Sequence, residues 1–140
     1  MFAKHYLQLA ALPLWLLASS SHADIEYCSD GNTCHLTDPA YTGPLNLFCT
    51  LAPGLDAQWG AEARDALRME LRGTIRVLMD HVNDRGVPVA ELIRDDGLNL
   101  GLELVRQGLA RVTPKYCDAP LYPMAENEAR QERLGIWSGK

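Results

Sequence analysis

The apolar periodicities along this 140-residue chain predict an α+β domain, a small mixed β-barrel with helices packed against it. Three observations carry that expectation. Short alternating segments bounded by Gly, Pro, Asn and Asp recur along the chain, stripes of helical period separate them, and a glycine closes each helical stripe. The length suits one domain and leaves no room for a second sizeable core.

Residues 1–23 stand apart from that domain. Lys4 and His5 precede an apolar run from Leu7 to Ala18, and Ser21 and Ala23 are the small residues at −3 and −1 of a cut after Ala23. This is the anatomy of a secretory signal peptide, and the run is short for a membrane span. An uncleaved anchor is the competing reading. The expected organisation is a signal peptide over 1–23 and a folded domain over 24–140, periplasmic or secreted. No later segment is apolar enough to cross a bilayer.

The elements follow in order. Ile25 to Leu36 reads as two short strands joined at Asp30-Gly31-Asn32. Asp38 to Pro44 reads as a loop on its turn residues, and Leu45 to Leu51 as a third strand carrying one polar residue, Asn46. Ala52-Pro53-Gly54 breaks it. Ala61 to Arg72 is a helix with Ala63, Ala66, Leu67 and Leu71 inward, ended by Gly73. On another face Arg64, Arg68 and Arg72 recur every four residues, a solvated stripe by default and an anion-binding face otherwise.

Thr74 to Val82 alternates as a half-buried strand, and Asn83-Asp84-Arg85-Gly86 turns it into a return strand from Val87 to Ile93. Pro88 is tolerable there only at an edge or near the strand's start. Asn99 is an N-cap for a helix from Leu100 to Gln107, closed by Gly108. Leu109 to Val112 is a short strand. A last helix begins near Pro123 and ends at Gly135, freeing Ile136-Trp137 to fold back on the core.

Four cysteines, Cys28, Cys34, Cys49 and Cys117, follow the cleavage point. An even number in an exported chain reads as two disulfides, with three possible connectivities. Cys28 and Cys34 flank the Asp30–Thr33 turn, so a hairpin brings them side by side. The preferred pairing is Cys28–Cys34 with Cys49–Cys117. The spacing is not that of a zinc site, and His35, pointing away from Cys34 on a strand, is a poor co-ligand. Loss of Lys4 with residues 1–23 leaves 12 basic against 18 acidic side chains, a formal net charge of −6. A chain that grips a phosphate backbone carries the opposite balance, so nucleic acid is disfavoured as the main partner.

Certain segments carry more than periodicity. The runs AQWGAEARDALRMEL, NLGLELVRQGLARV, KYC and AENEARQERLGIWS resemble the thermonuclease, or staphylococcal nuclease-like, family. The resemblance extends over about residues 25–138. It implies a five-stranded OB-fold barrel with three helices. Active members of that family are calcium-dependent phosphodiesterases acting on DNA and RNA. Carboxylates hold the hard Ca²⁺ ion, two arginines neutralise the scissile phosphate, and a glutamate serves the attacking water.

Matched position by position, the resemblance implies that most of this machinery is missing. The family's Asp-Gly-Asp-Thr turn reads Asp30-Gly31-Asn32-Thr33, so Asn32 replaces a metal carboxylate. Asn46 stands for the first phosphate-binding arginine. Leu51 and Gly54 stand for the second metal carboxylate and the general-base glutamate, and Val87 for the second arginine. Loss of one transition-state donor alone costs on the order of 10²–10³ in rate. No catalytic residue, metal ligand or cofactor is therefore expected.

What replaces the nuclease is open to three readings. The leading one is a non-enzymatic binding or interaction module for a protein or a small ligand, with Asp30, Arg85 and Tyr116 as candidate binding residues. A second is a weak single-stranded nucleic-acid binder using Tyr116, the match to a base-stacking tyrosine, with the Arg64/Arg68/Arg72 stripe. A third is a divergent calcium-dependent nuclease whose ligands have moved to Asp30, Asp38 or Asp56, with Arg85 near the vacated arginine position.

Overall fold

The structure is a computed structural model describing residues 23–140. The signal-peptide segment therefore lies outside the described residues, apart from Ala23. Strands β1 (Asp24–Cys28), β2 (Thr33–Asp38) and β3 (Tyr41–Leu47) are followed by the short β4 (Thr50–Leu51) and helix α1 (Gly60–Glu70). Strands β5 (Ile75–Val82) and β6 (Pro88–Arg94), helix α2 (Leu100–Arg106), the short β7 (Arg111–Val112) and helix α3 (Leu121–Gln131) complete the order, with a 3₁₀ turn at Gly135–Trp137.

The main sheet has the order β1-β2-β3-β6-β5, antiparallel except where β3 runs parallel to β6. A β4–β7 ribbon continues beyond it. Among the described residues no ladder joins β1 to β5. Ala23–Ile25 and Gly73–Ile75 instead line one cavity of about 230 Å³, so the curled sheet stays partly open, as OB-like barrels do. The α+β, five-stranded, three-helix architecture is the expected one.

Two local expectations are corrected. The Asp38–Pro44 loop shrinks to Pro39-Ala40, because Asp38 accepts a 2.7 Å hydrogen bond from the Ala40 N–H and closes the turn at once. Pro44 sits inside β3, on the stretch beyond the reach of β6, where that side has no ladder for the missing N–H to interrupt. The expected strand from Leu45 to Leu51 is divided at Phe48-Cys49, where Cys49 adopts φ 54° and redirects the chain into β4.

The core sits between the sheet and α2. Leu45, Leu92, Leu100 and Val105 are fully enclosed, and α2 packs against α1, α3, β4 and β6. Asn99 caps α2 as its side chain accepts from the Leu102 N–H at 3.1 Å. Gly108 closes it with φ 73°. A Cβ there would lie 2.3 Å from the Leu134 carbonyl, and the Gly108 carbonyl itself accepts from the Ile136 N–H at 2.8 Å. The tail is thereby fastened to the helix, and Arg111 and Arg130 each stack on Trp137, at 4.6 and 4.2 Å from its ring.

Both disulfides adopt the expected pairing. Cys28–Cys34 bridges the β1–β2 hairpin, and Cys49–Cys117 joins the β3–β4 bend to the segment before α3. A charged cluster joins the end of α1 to the turn after β6. Arg94, only 7 % exposed, donates to both Asp96 oxygens at 2.9 and 2.6 Å and to Glu70 at the end of α1. No helix among the described residues is long and apolar enough to cross a membrane.

Candidate functional site

The turn between β1 and β2, the end of β3, the β5–β6 turn and the segment after β7 meet at one end of the barrel. They enclose a cavity of about 210 Å³. Its wall includes Asn32, Asn46, Leu51, Arg85 and Tyr116, which converge from segments far apart in sequence. Asp30, Gly54 and Val87 do not line it.

Asp30 closes its own turn, its carboxylate accepting from the Asn32 N–H at 2.8 Å. The Asn46 amide donates to Thr33 Oγ1 at 3.1 Å, and its oxygen accepts from Asn83 Nδ2 at 3.1 Å. Asn83 Oδ1 in turn accepts from the backbone N–H groups of Arg85 and Val87, both at 3.0 Å. A chain of amides thus runs from β2 through β3 to the β5–β6 turn and sets the position of Arg85. Asn32 Oδ1 is enclosed with no hydrogen-bond partner among the described residues.

Gly54 has a packing role. Its carbonyl accepts from the Ala57 N–H at 3.0 Å, and a Cβ on Gly60 would come within 1.8 Å of that oxygen. The loop before α1 therefore folds tightly on the first turn of the helix. Leu51, 47 % exposed, borders both the amide-lined cavity and a neighbouring one of about 400 Å³ lined by Pro53, Trp59, Arg111 and Ile136.

The residues present do not fit a calcium ion. The Asn46 oxygen is already engaged, the Asn32 oxygen is enclosed, and Leu51 brings hydrocarbon where a hard cation needs oxygen. Among the described residues no three His, Cys, Asp or Glu side chains are placed to hold a metal. Asp38 holds its own turn, and neither it nor Asp56 lines the cavity.

The Arg64/Arg68/Arg72 stripe is already engaged. Arg64 pairs with Asp65 at 2.9 Å, Arg68 donates to the Cys28 carbonyl at 2.8 Å, and Arg72 lies 3.8 Å from Glu70. The cations that do face the cavity are Arg85 and Lys115, joined by His81. His81 is held by Asp80 at 2.6 Å and packs on the Tyr116 ring at 5.1 Å. Sequence reasoning missed Lys115, His81 and Asn83. Only the last had a signal, an Asn opening a turn, where its side chain can accept from the N–H two residues on.

Fold and residue pattern together define the class. The family model for the staphylococcal nuclease homologue matches residues 46–139, and the chain belongs to that family. It is similar to an "Uncharacterized endonuclease" of Escherichia coli O157:H7, 27% identical over 124 residues, covering 88% of this chain and 81% of the relative. A second protein of the same description, from Escherichia coli, matches with the same identity and coverage.

Proposed function

We propose that this chain is a non-enzymatic, exported member of its family, a binding module that uses the former catalytic cleft for a small ligand or a protein partner. The observation that carries the reading is the wall of that cleft. Asn32 and Asn46 stand at charged family positions, Asn46 engaged in the amide network, while Leu51 makes a third position apolar. Gly54 and Val87, at the general-base and second-arginine positions, contribute no acid, base or cation. Neither calcium nor another cofactor has a role here. The paired cysteines and the absence of a membrane-spanning helix among the described residues support a periplasmic or secreted location.

The test is incubation of residues 24–140 with DNA and RNA in excess Ca²⁺, where no cleavage above a buffer blank is expected. A nuclease reading is favoured by the description of both relatives as endonucleases. It requires calcium-dependent cleavage that mutation of Asp30 abolishes. The reading as a single-stranded nucleic-acid binder now rests on Arg85, Lys115 and Tyr116 rather than on the α1 stripe. It requires oligonucleotide binding that weakens steeply with salt.

A further inference from the structure

We infer that the amide-lined cavity is a binding site for a small organic monoanion with a planar apolar body, such as an aromatic carboxylate. The inference rests on the non-enzymatic reading above and names its ligand class. Three features of the cavity lead to it.

The first is charge. Arg85 and Lys115 both line the cavity, and neither forms a salt bridge among the described residues. No Asp or Glu is part of the wall, although the chain as a whole is acidic. A cleft with two free cations and no carboxylate is locally inverted in sign and selects an anion.

The second is the body of the site. Leu47, Leu51 and Val89 give it apolar surface, and the Tyr116 ring stands at its mouth, 62 % exposed and steadied by His81. A flat apolar group can lie against that ring while its charge meets the cations. Size then limits the choice. About 210 Å³ is somewhat more than the roughly 150 Å³ that accommodates benzene, and less than the roughly 300 Å³ at which drug-sized pockets begin. A substituted ring fits within it, whereas a whole nucleotide would extend beyond it.

The third is preorganisation. Cys49 and Tyr116 both line the cavity in left-handed backbone, φ 54° and 59°, and the Cys49–Cys117 bridge ties their two segments together. Non-glycine residues held in that region concentrate at ligand clamps.

The test is a ¹H–¹⁵N NMR titration of ¹⁵N-labelled residues 24–140 with benzoate, alongside benzyl alcohol, inorganic phosphate and thymidine 5′-monophosphate. Benzoate should shift the amides of His81, Asn83, Arg85 and Tyr116 saturably. R85A and K115A should each weaken it about tenfold, and benzyl alcohol should bind at least about tenfold more weakly. The proposal is overturned by absent or non-saturable shifts, by unchanged affinity in the double variant, or by phosphate or the nucleotide binding more tightly than benzoate. The same sample is assayed on DNA with Ca²⁺. Cleavage removes the reading on which the proposal rests, whereas no cleavage and no benzoate binding removes the ligand class alone.

Discussion

Asn83 uses its whole side-chain amide to hold the β5–β6 turn, accepting from two backbone N–H groups and donating to Asn46. Asn83→Ala leaves those partners unpaired in a half-buried setting, and urea unfolding should show a loss of about 2–3 kcal/mol. Asn83→Asp keeps both accepted bonds and should lose less. The reverse order would mean that the turn does not depend on them. The residue was legible as a turn former and no further. Its bond to Asn46 spans 37 positions, a juxtaposition that no local pattern encodes. The same holds for Lys115 and His81, which look like ordinary surface residues until the fold brings them to one cavity.

At the scale of elements, Arg94 fastens the end of α1 to the β6–α2 turn through Glu70 and Asp96. Its hydrogen bonds, then that of the Leu98 N–H, hold the Asp96 carboxyl down at about 2, below its ordinary value. A carboxyl with a depressed native pKa contributes stability above its unfolded value and loses it as pH falls through the native one. Stability should therefore decline between about pH 4 and pH 2. Denaturation midpoints across that window should show a shallower decline in Asp96→Asn, and an unchanged slope would contradict the assignment. In the sequence Asp95-Asp96-Gly97 reads only as a turn, and nothing there signals the burial of Arg94, which depends on α1 arriving beside it. Helices were more legible than strand ends. Caps and closing glycines are local signals, whereas the division of β3 from β4 depends on the left-handed Cys49.

At the scale of the whole molecule, the two disulfides close loops of very different length, 6 and 68 residues of sequence separation. Loop-closure entropy assigns about 2 kcal/mol to the short bridge and about 4 kcal/mol to the long one. Replacing Cys49 and Cys117 by serine should accordingly lower the unfolding free energy more than replacing Cys28 and Cys34. Equal losses would show that chain entropy is not what the long bridge controls. Both pairings followed from cysteine parity and the hairpin, the mixed barrel with its helices followed from element order, and its five-stranded OB form from the family resemblance. The proposed conversion of the cleft was legible only as substitutions at matched positions. The cationic wall that accompanies them needed the fold.

The most direct test of the non-enzymatic reading uses disulfide-bonded residues 24–140, single-stranded DNA and RNA, and Ca²⁺ in large excess, followed by gel analysis against a buffer blank. The expected result is intact substrate with and without the metal. Calcium-dependent cleavage that disappears in Asp30→Asn would contradict it and return the chain to the nucleases.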